Sequence, residues 1–242
     1  MMFHPQKAFY SKFLSFLKKI FLIVFPFFSL IIIFSCHIPT YKNEQKSSFP
    51  LKIENIVVVG FKSAISEKER PVLFRCPICG ATFMAEPVSD DVAELMTTDL
   101  FNSLKKNQKY TLISPGQAKG VYSTILSQNV TIGIKDMLQK TGKSFSSDAV
   151  LFGYIYRWTE RVGTTYGVET PASVAFDLHL VNTDNGSILW KDSFKKSQVS
   201  LSENLLDLST FIKSRGKWLT ARELAHIGLE SLIKCIGDSA TR

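Results

Sequence analysis

Cys76-Pro77-Ile78-Cys79-Gly80 is the segment of this chain whose residue types and spacing most directly suggest chemistry. Two cysteines separated by two residues and followed by glycine have the form of half a zinc knuckle. In such a knuckle a tight turn aims main-chain amides at thiolate sulfurs, and glycine avoids a clash. A closed zinc centre needs four ligands. Besides this pair, the chain beyond residue 35 offers Cys36, Cys235, His37, His179 and His226. That inventory leaves a zinc site within one chain without an evident second pair, while two copies could pool four thiolates. The competing reading is a short-loop disulfide, natural in an oxidising compartment and able to pin an apolar loop. Cys76 and Cys79 are therefore expected as a disulfide, with zinc the alternative, and no other cofactor is expected. A thioredoxin-like role fits poorly, because there the first cysteine opens a helix; here Gly80 and Pro87 stand before the next helical pattern.

Other candidate chemistry is thin. Thr141-Gly142-Lys143-Ser144 echoes the end of a phosphate loop, but the earlier glycine of that pattern is missing. No G-x-S-x-G, H-E-x-x-H or Cys-x-x-Cys-His motif occurs. His179, amid apolar neighbours in a strand pattern, and His226, in a helical one, read as structural. No catalytic residue is assigned and no enzyme is expected. Lys195-Lys196 and the run from Lys213 to Lys217 form a modest basic cluster, a solvated face that anionic headgroups could orient.

The leader changes the meaning of the charge. Lys7, Lys12, Lys18 and Lys19 precede an apolar run from Ile20 to Phe34, and no acid occurs before Cys36. Setting those four lysines aside leaves 25 basic residues against 21 acids, so the formal charge falls from +8 to +4. Nucleic acid is thus not an expected partner. Fifteen residues rise only about 22 Å as a helix, short of a hydrocarbon core of about 30 Å, and Pro26 interrupts them. Residues 1–35 therefore read as an export signal. Ile33-Phe34-Ser35-Cys36 resembles a bacterial lipobox, which implies cleavage before Cys36 and acylation of that cysteine. Acyl chains contribute about 0.8 kcal/mol per buried methylene, enough in multiple copies to hold a domain on a bilayer without a spanning helix. His37, rather than aspartate, implies by the same resemblance sorting to the outer membrane, facing the periplasm.

Residues 36–51 are polar with two prolines and read as a tether. A domain is expected over residues 52–236, followed by a short tail, 237–242. Ile53 to Phe61 is a β-branched run typical of a strand buried on both faces. An insertion at about residues 62–87, charged and then apolar, carries the cysteine pair as a loop. Ser89 with Asp90 and Asp91 opens a helix whose stripe is Val88, Val92, Leu95, Met96, Leu100 and Leu104, closing at Lys105 and Lys106. A strand at Tyr110–Ile113 and helices near Gln117–Leu126 and Ile134–Lys143 follow. Three strands are expected at Ala149–Trp158, Ala172–Val181 and Ser187–Phe194. In the middle one Val174, Phe176, Leu178 and Leu180 share a face opposite Asp177 and His179. Asn182 to Gly186 is a hairpin turn. In the first of the three, Tyr154, Tyr156 and Trp158 alternate onto one face. Capping boxes Ser200/Glu203 and Thr220/Glu223 open two final helices, the last burying Leu224, Leu229, Leu232, Ile233 and Ile236. The fold class is α+β: one domain, a mixed β-sheet with an antiparallel three-stranded meander, packed by helices.

The blocks IENIVVVGF, DDVAELMTTDLFNSLKK, SSDAVLFGYIYRW and VAFDLHLVNTDNGSILWKDSF, with the last amphipathic helix, resemble envelope lipoproteins built like the curli assembly and secretion lipoprotein. That fold is shared with the N-terminal domain of the Tol-Pal propeller protein and with lipoprotein activators of penicillin-binding proteins. The resemblance implies a non-enzymatic protein that recruits, assembles or regulates an envelope protein partner, or else a homo-oligomer forming a secretion channel or ring. The CPICG insertion departs from those relatives. A channel would need long alternating segments of roughly ten residues each; Tyr154 to Val168 is the sole candidate, and Gly163 and Gly167 shorten it.

Overall fold

The structure, a computed structural model, describes residues 53–128, 131–198 and 217–239. The leader, Cys36, the tether and the Ser200/Glu203 box lie outside them. The elements run β1 (Asn55–Ser63), β2 (Val72–Arg75), β3 (Thr82–Ala85), α1 (Asp90–Asn107), β4 (Thr111–Ile113), α2 (Pro115–Gln128), α3 (Ile134–Ser144), β5 (Ala149–Thr159), β6 (Val162–Gly163), β7 (Val168–Thr170), β8 (Ser173–Asn182), β9 (Ile188–Ser197) and α4 (Ala221–Ser239). Five strands form one sheet in the order β4-β1-β5-β8-β9. β1 is parallel to β4 and β5, while β5, β8 and β9 are the antiparallel meander. The fold class is thus α+β with a mixed sheet.

Both faces of the sheet are covered, which is why β8 is buried at every position despite its alternation. On the first face α1 and α4 pack Met96, Leu100, Leu224 and Leu229 against Ile56, Val58, Leu151, Phe176, Leu178 and Leu180. On the second face lie α2, α3 and the insertion, over Val57, Val150, Phe152, Tyr154, Tyr156 and Val181. The expected helix ends are present. Ser89 Oγ accepts from the Val92 N–H at 3.4 Å. The Glu223 N–H donates to Thr220 Oγ1 at 3.2 Å while the Thr220 N–H donates to Glu223 Oε2 at 2.8 Å. Asp148, just ahead of β5, accepts from the Glu54 and Asn55 N–H groups through Oδ2, each at 2.8 Å, and so clips the start of β1 to β5.

Three expectations need correction. The insertion is not a loop: β2 and β3 pair antiparallel from Val72↔Ala85 to Arg75↔Thr82 and hold the cysteine pair in their turn. Tyr154, Tyr156 and Trp158 do not share a face, because a bulge between Ile155 and Arg157 reverses the side-chain sense. Tyr154 and Tyr156 stay on the second face while Trp158 packs on the first. The segment Tyr154–Val168 is not one long strand either; β5 ends at Thr159 and the chain folds back in the short β6–β7 hairpin, where the Thr164 N–H donates to the Gly167 carbonyl at 2.7 Å.

Gly60 marks a second bulge, between Val58 and Gly60 in the β1–β5 register. Its φ of +92° is a region side chains rarely adopt, and a Cβ there would come within 2.2 Å of Thr97 Cγ2 on α1. The helix can approach β1 only because this position is bare, and Thr97 Oγ1 then accepts from the Phe61 N–H at 2.8 Å.

Candidate functional site

Cys76 and Cys79 occupy the β2–β3 turn. The Cys76 N–H donates to the Ala81 carbonyl and the Gly80 N–H to the Cys76 carbonyl, both at 2.8 Å, so the turn is closed twice by its own backbone. Gly80 has φ +73°, the left-handed conformation that lets the chain reverse behind the second cysteine. The two thiols are not joined. Cys76 is 1% exposed and Cys79 is half-buried.

The hairpin lies on the second face of the sheet: its strands pack on β5, where the Glu86 N–H donates to the Tyr156 carbonyl at 2.7 Å, and its turn reaches β8. Alternation along β8 sends Asp177 and His179 to that face, 2% and 1% exposed. His179 Nε2 lies 3.8 Å from Cys76 Sγ and 3.5 Å from Asp177 Oδ2. One ligand atom each from Cys76, Cys79, Asp177 and His179 fall within 4.8 Å of one another. The carboxylate is fixed from behind: the Tyr154 N–H donates to Oδ1 at 2.8 Å and the Tyr156 hydroxyl donates to Oδ2. Aromatic rings seal the inner wall, with Phe83 stacked on Tyr156 at 4.0 Å between centroids and Phe74 tilted against Tyr154 at 5.3 Å. A cleft of about 200 Å³ lined by Cys79, Ala81, Phe83, Asp177, His179 and Lys191 leads in from solvent.

Burial governs the protonation of these groups. It pushes the Cys76 thiol up to about 11, against the main-chain N–H groups of Cys79 and Ile78, which favour its thiolate. Burial also raises Asp177 above the usual carboxylate range, with His179 and the Tyr156 hydroxyl working in the opposite direction. His179 is lowered by burial, with Asp177 opposing that shift, and its Nδ1 makes no hydrogen bond among the described residues. Tyr156 is held far above its ordinary value by burial and by the Asp177 charge.

No protein-family model matches the sequence, and no curated protein matches it. Among solved structures, the C-terminal domain of LpoB from Salmonella enterica is 16% identical over 62% of this chain and 87% of that one, with a TM-score of 0.37. Lipoprotein GNA1162 from Neisseria meningitidis is 18% identical over 66% of this chain and 92% of that one, with a TM-score of 0.37. The hypothetical protein CT253 from Chlamydia trachomatis is 12% identical over 77% of this chain and 97% of that one, with a TM-score of 0.39. Likeness at this level assigns no activity, ligand or partner.

The other sequence candidates fall elsewhere. His226 sits on α4, its Nδ1 3.7 Å from Glu230 Oε1, and Cys235 is on the same helix, which packs on the first face of the sheet. Thr141 to Ser144 forms the last turns of α3, with Gly142 packed under Thr183 and Val150, a place that cradles no phosphate. Lys195 is exposed on β9, and most of the run from Lys213 to Lys217 lies outside the described residues, as does Cys36. The group that sequence reasoning left out is Asp177. Its signal was present: it shares a strand face with His179, two residues on, in a strand with no solvent face.

Proposed function

We propose that the protein is a lipid-anchored, periplasm-facing factor of the outer membrane that recruits or regulates another envelope protein without catalysing a reaction, and that the β2–β3 hairpin is its contact element. The observation that carries this reading is a cross-strand pair. Leu73 and Met84 are directly opposite in the β2–β3 ladder and are 65% and 55% exposed. The next pair, Phe74 and Phe83, is turned inward against Tyr156. An alternating hairpin docked on one side ordinarily shows polar groups on the other; here Arg75 and Thr82 do so, but the pair beside them on that side is Leu73 and Met84, large apolar residues of the kind that partner surfaces cover. The leader and Cys36 supply the tether to the membrane in the same reading.

The test is site-specific photocrosslinking in the native envelope, with the reactive residue placed at 73 or 84 and, as control, at Tyr166, which is 76% exposed on the tip of the β6–β7 hairpin. A discrete adduct from positions 73 and 84 that is absent from 166 supports the reading. Adducts at all three positions alike, or at none, overturn it.

A further inference from the structure

We propose that Cys76, Cys79, Asp177 and His179 form a closed, tetrahedral site for a borderline-soft divalent cation, zinc, within a single chain. The distances carry it first. Zinc bonds of about 2.0 Å to nitrogen or oxygen and about 2.3 Å to sulfur place tetrahedral neighbours roughly 3.3 to 3.8 Å apart. The observed edges from His179 Nε2 to Asp177 Oδ2 and to Cys76 Sγ are 3.5 and 3.8 Å. The full set spans no more than 4.8 Å, so a cation could close it by small rotations of side chains.

Charge and burial carry it next. A carboxylate that is 2% exposed, set among aromatic rings, ordinarily has a cationic partner or a metal. Among the described residues, the sole titratable cation within ion-pair distance of Asp177 is His179. The imidazole is itself 1% exposed and turns Nε2 toward both the carboxylate and the Cys76 thiol. The supporting shell is also in place, since Tyr154 N–H and Tyr156 hydroxyl hold the carboxylate, and the turn's amides favour the Cys76 thiolate. The cleft past Cys79 and Lys191 supplies an entry path. Four protein ligands leave no open position, so the role is structural: the cation would fasten the turn to β8 more firmly than the 3.8 Å contact between Cys76 Sγ and His179 Nε2 does alone. This inference does not depend on what the hairpin's outer side binds.

The experiment uses the full lipidated protein, extracted from its own membranes in mild detergent without reductant. Elemental analysis is expected to find one zinc per chain. Cys76 and Cys79 should resist alkylation until a chelator, not a reductant, is added. Cobalt(II) alone, titrated into chelator-stripped protein, should give tetrahedral d–d bands with thiolate-to-metal charge transfer. Cys76 is a core residue whose loss could unfold the hairpin, so Cys79→Ser, His179→Ala and Asp177→Asn are read instead, each with its far-UV circular dichroism. Each should weaken cobalt binding about a hundredfold or more, because one of four ligands is gone. An intact mass two hydrogens below the reduced value, showing a Cys76–Cys79 disulfide, would overturn the proposal. So would two alkylatable thiols and no metal, or wild-type cobalt affinity in both His179→Ala and Asp177→Asn, which would move the site to cysteines of two chains.

Discussion

Phe83 lies nearly flat on Tyr156, with ring centroids 4.0 Å apart and planes inclined by 11°. Tyr156 in turn donates its hydroxyl to Asp177, so one ring both fastens the hairpin and positions the buried carboxylate. Phe83→Ala removes the stack and part of the apolar contact at a half-buried position, at a cost of about 1–2 kcal/mol. The loss should be local. Hydrogen exchange is expected to show the Cys76 amide, which donates to Ala81, losing protection while the β8 amides keep theirs; equal loss in both would show that the hairpin and sheet open as one.

Leu178 is fully buried in the first-face cluster, one residue from Asp177 and on the opposite side of the same strand. Leu178→Asp places an unpaired carboxylate among Phe176, Leu180 and the helices, and should destabilise by more than about 4 kcal/mol. A thermal melt unchanged from wild type would contradict the assigned faces of β8.

Gly60→Ala meets two separate obstacles, the positive φ and the Thr97 side chain. A loss of about 2–3 kcal/mol is expected by denaturant unfolding. Adding Thr97→Ser removes Cγ2, but Oγ1 and Cβ of residue 97 would still lie 2.5 and 2.8 Å from the new methyl. Only a small part of the stability should therefore return, and most of the loss should persist in the double variant.

Thr220→Ala removes the side-chain half of the α4 capping box and should cost about 1 kcal/mol. The double variant with Glu223→Ala should cost less than the two single changes together, because both break one reciprocal pair. Strict additivity in chemical unfolding would argue against the box.

Cys36→Ser should abolish acylation and leave the protein either uncleaved or released from the membrane fraction. Sedimentation of envelopes and the intact mass of the N-terminal peptide read both outcomes. Unchanged membrane partitioning with no lipid on the wild-type N-terminus would remove the anchor.

Long elements were legible in the sequence because each carries its own period. β8 shows the two-residue alternation that separates Phe176, Leu178 and Leu180 from Asp177 and His179, and α1 announces both ends with Ser89 and Lys105-Lys106. β2 and β3 were not legible, since four residues each are too few to establish a period. The bulge that separates Tyr156 from Trp158 arises from register with β8, not from β5 alone. Asp177 and His179 were read as sharing a strand face but not as neighbours of the cysteine pair, because the turn and His179 are 103 positions apart and the fold-over of the hairpin brings them together.

The parallel pairing of β1 with β5, clipped by Asp148, has a kinetic consequence. Asn55 and Asp148 are 93 positions apart, with the hairpin, α1, β4, α2 and α3 all strung between them. Closing so wide a loop costs entropy before any contact offsets it, whereas β8 and β9 meet across the turn from Asn182 to Ser187. The meander is therefore the natural early nucleus, and β1, though first in the chain, is the strand that must wait. Refolding should be rate-limited by its docking, and residues 53–63 are the part a chaperone would have to shield longest.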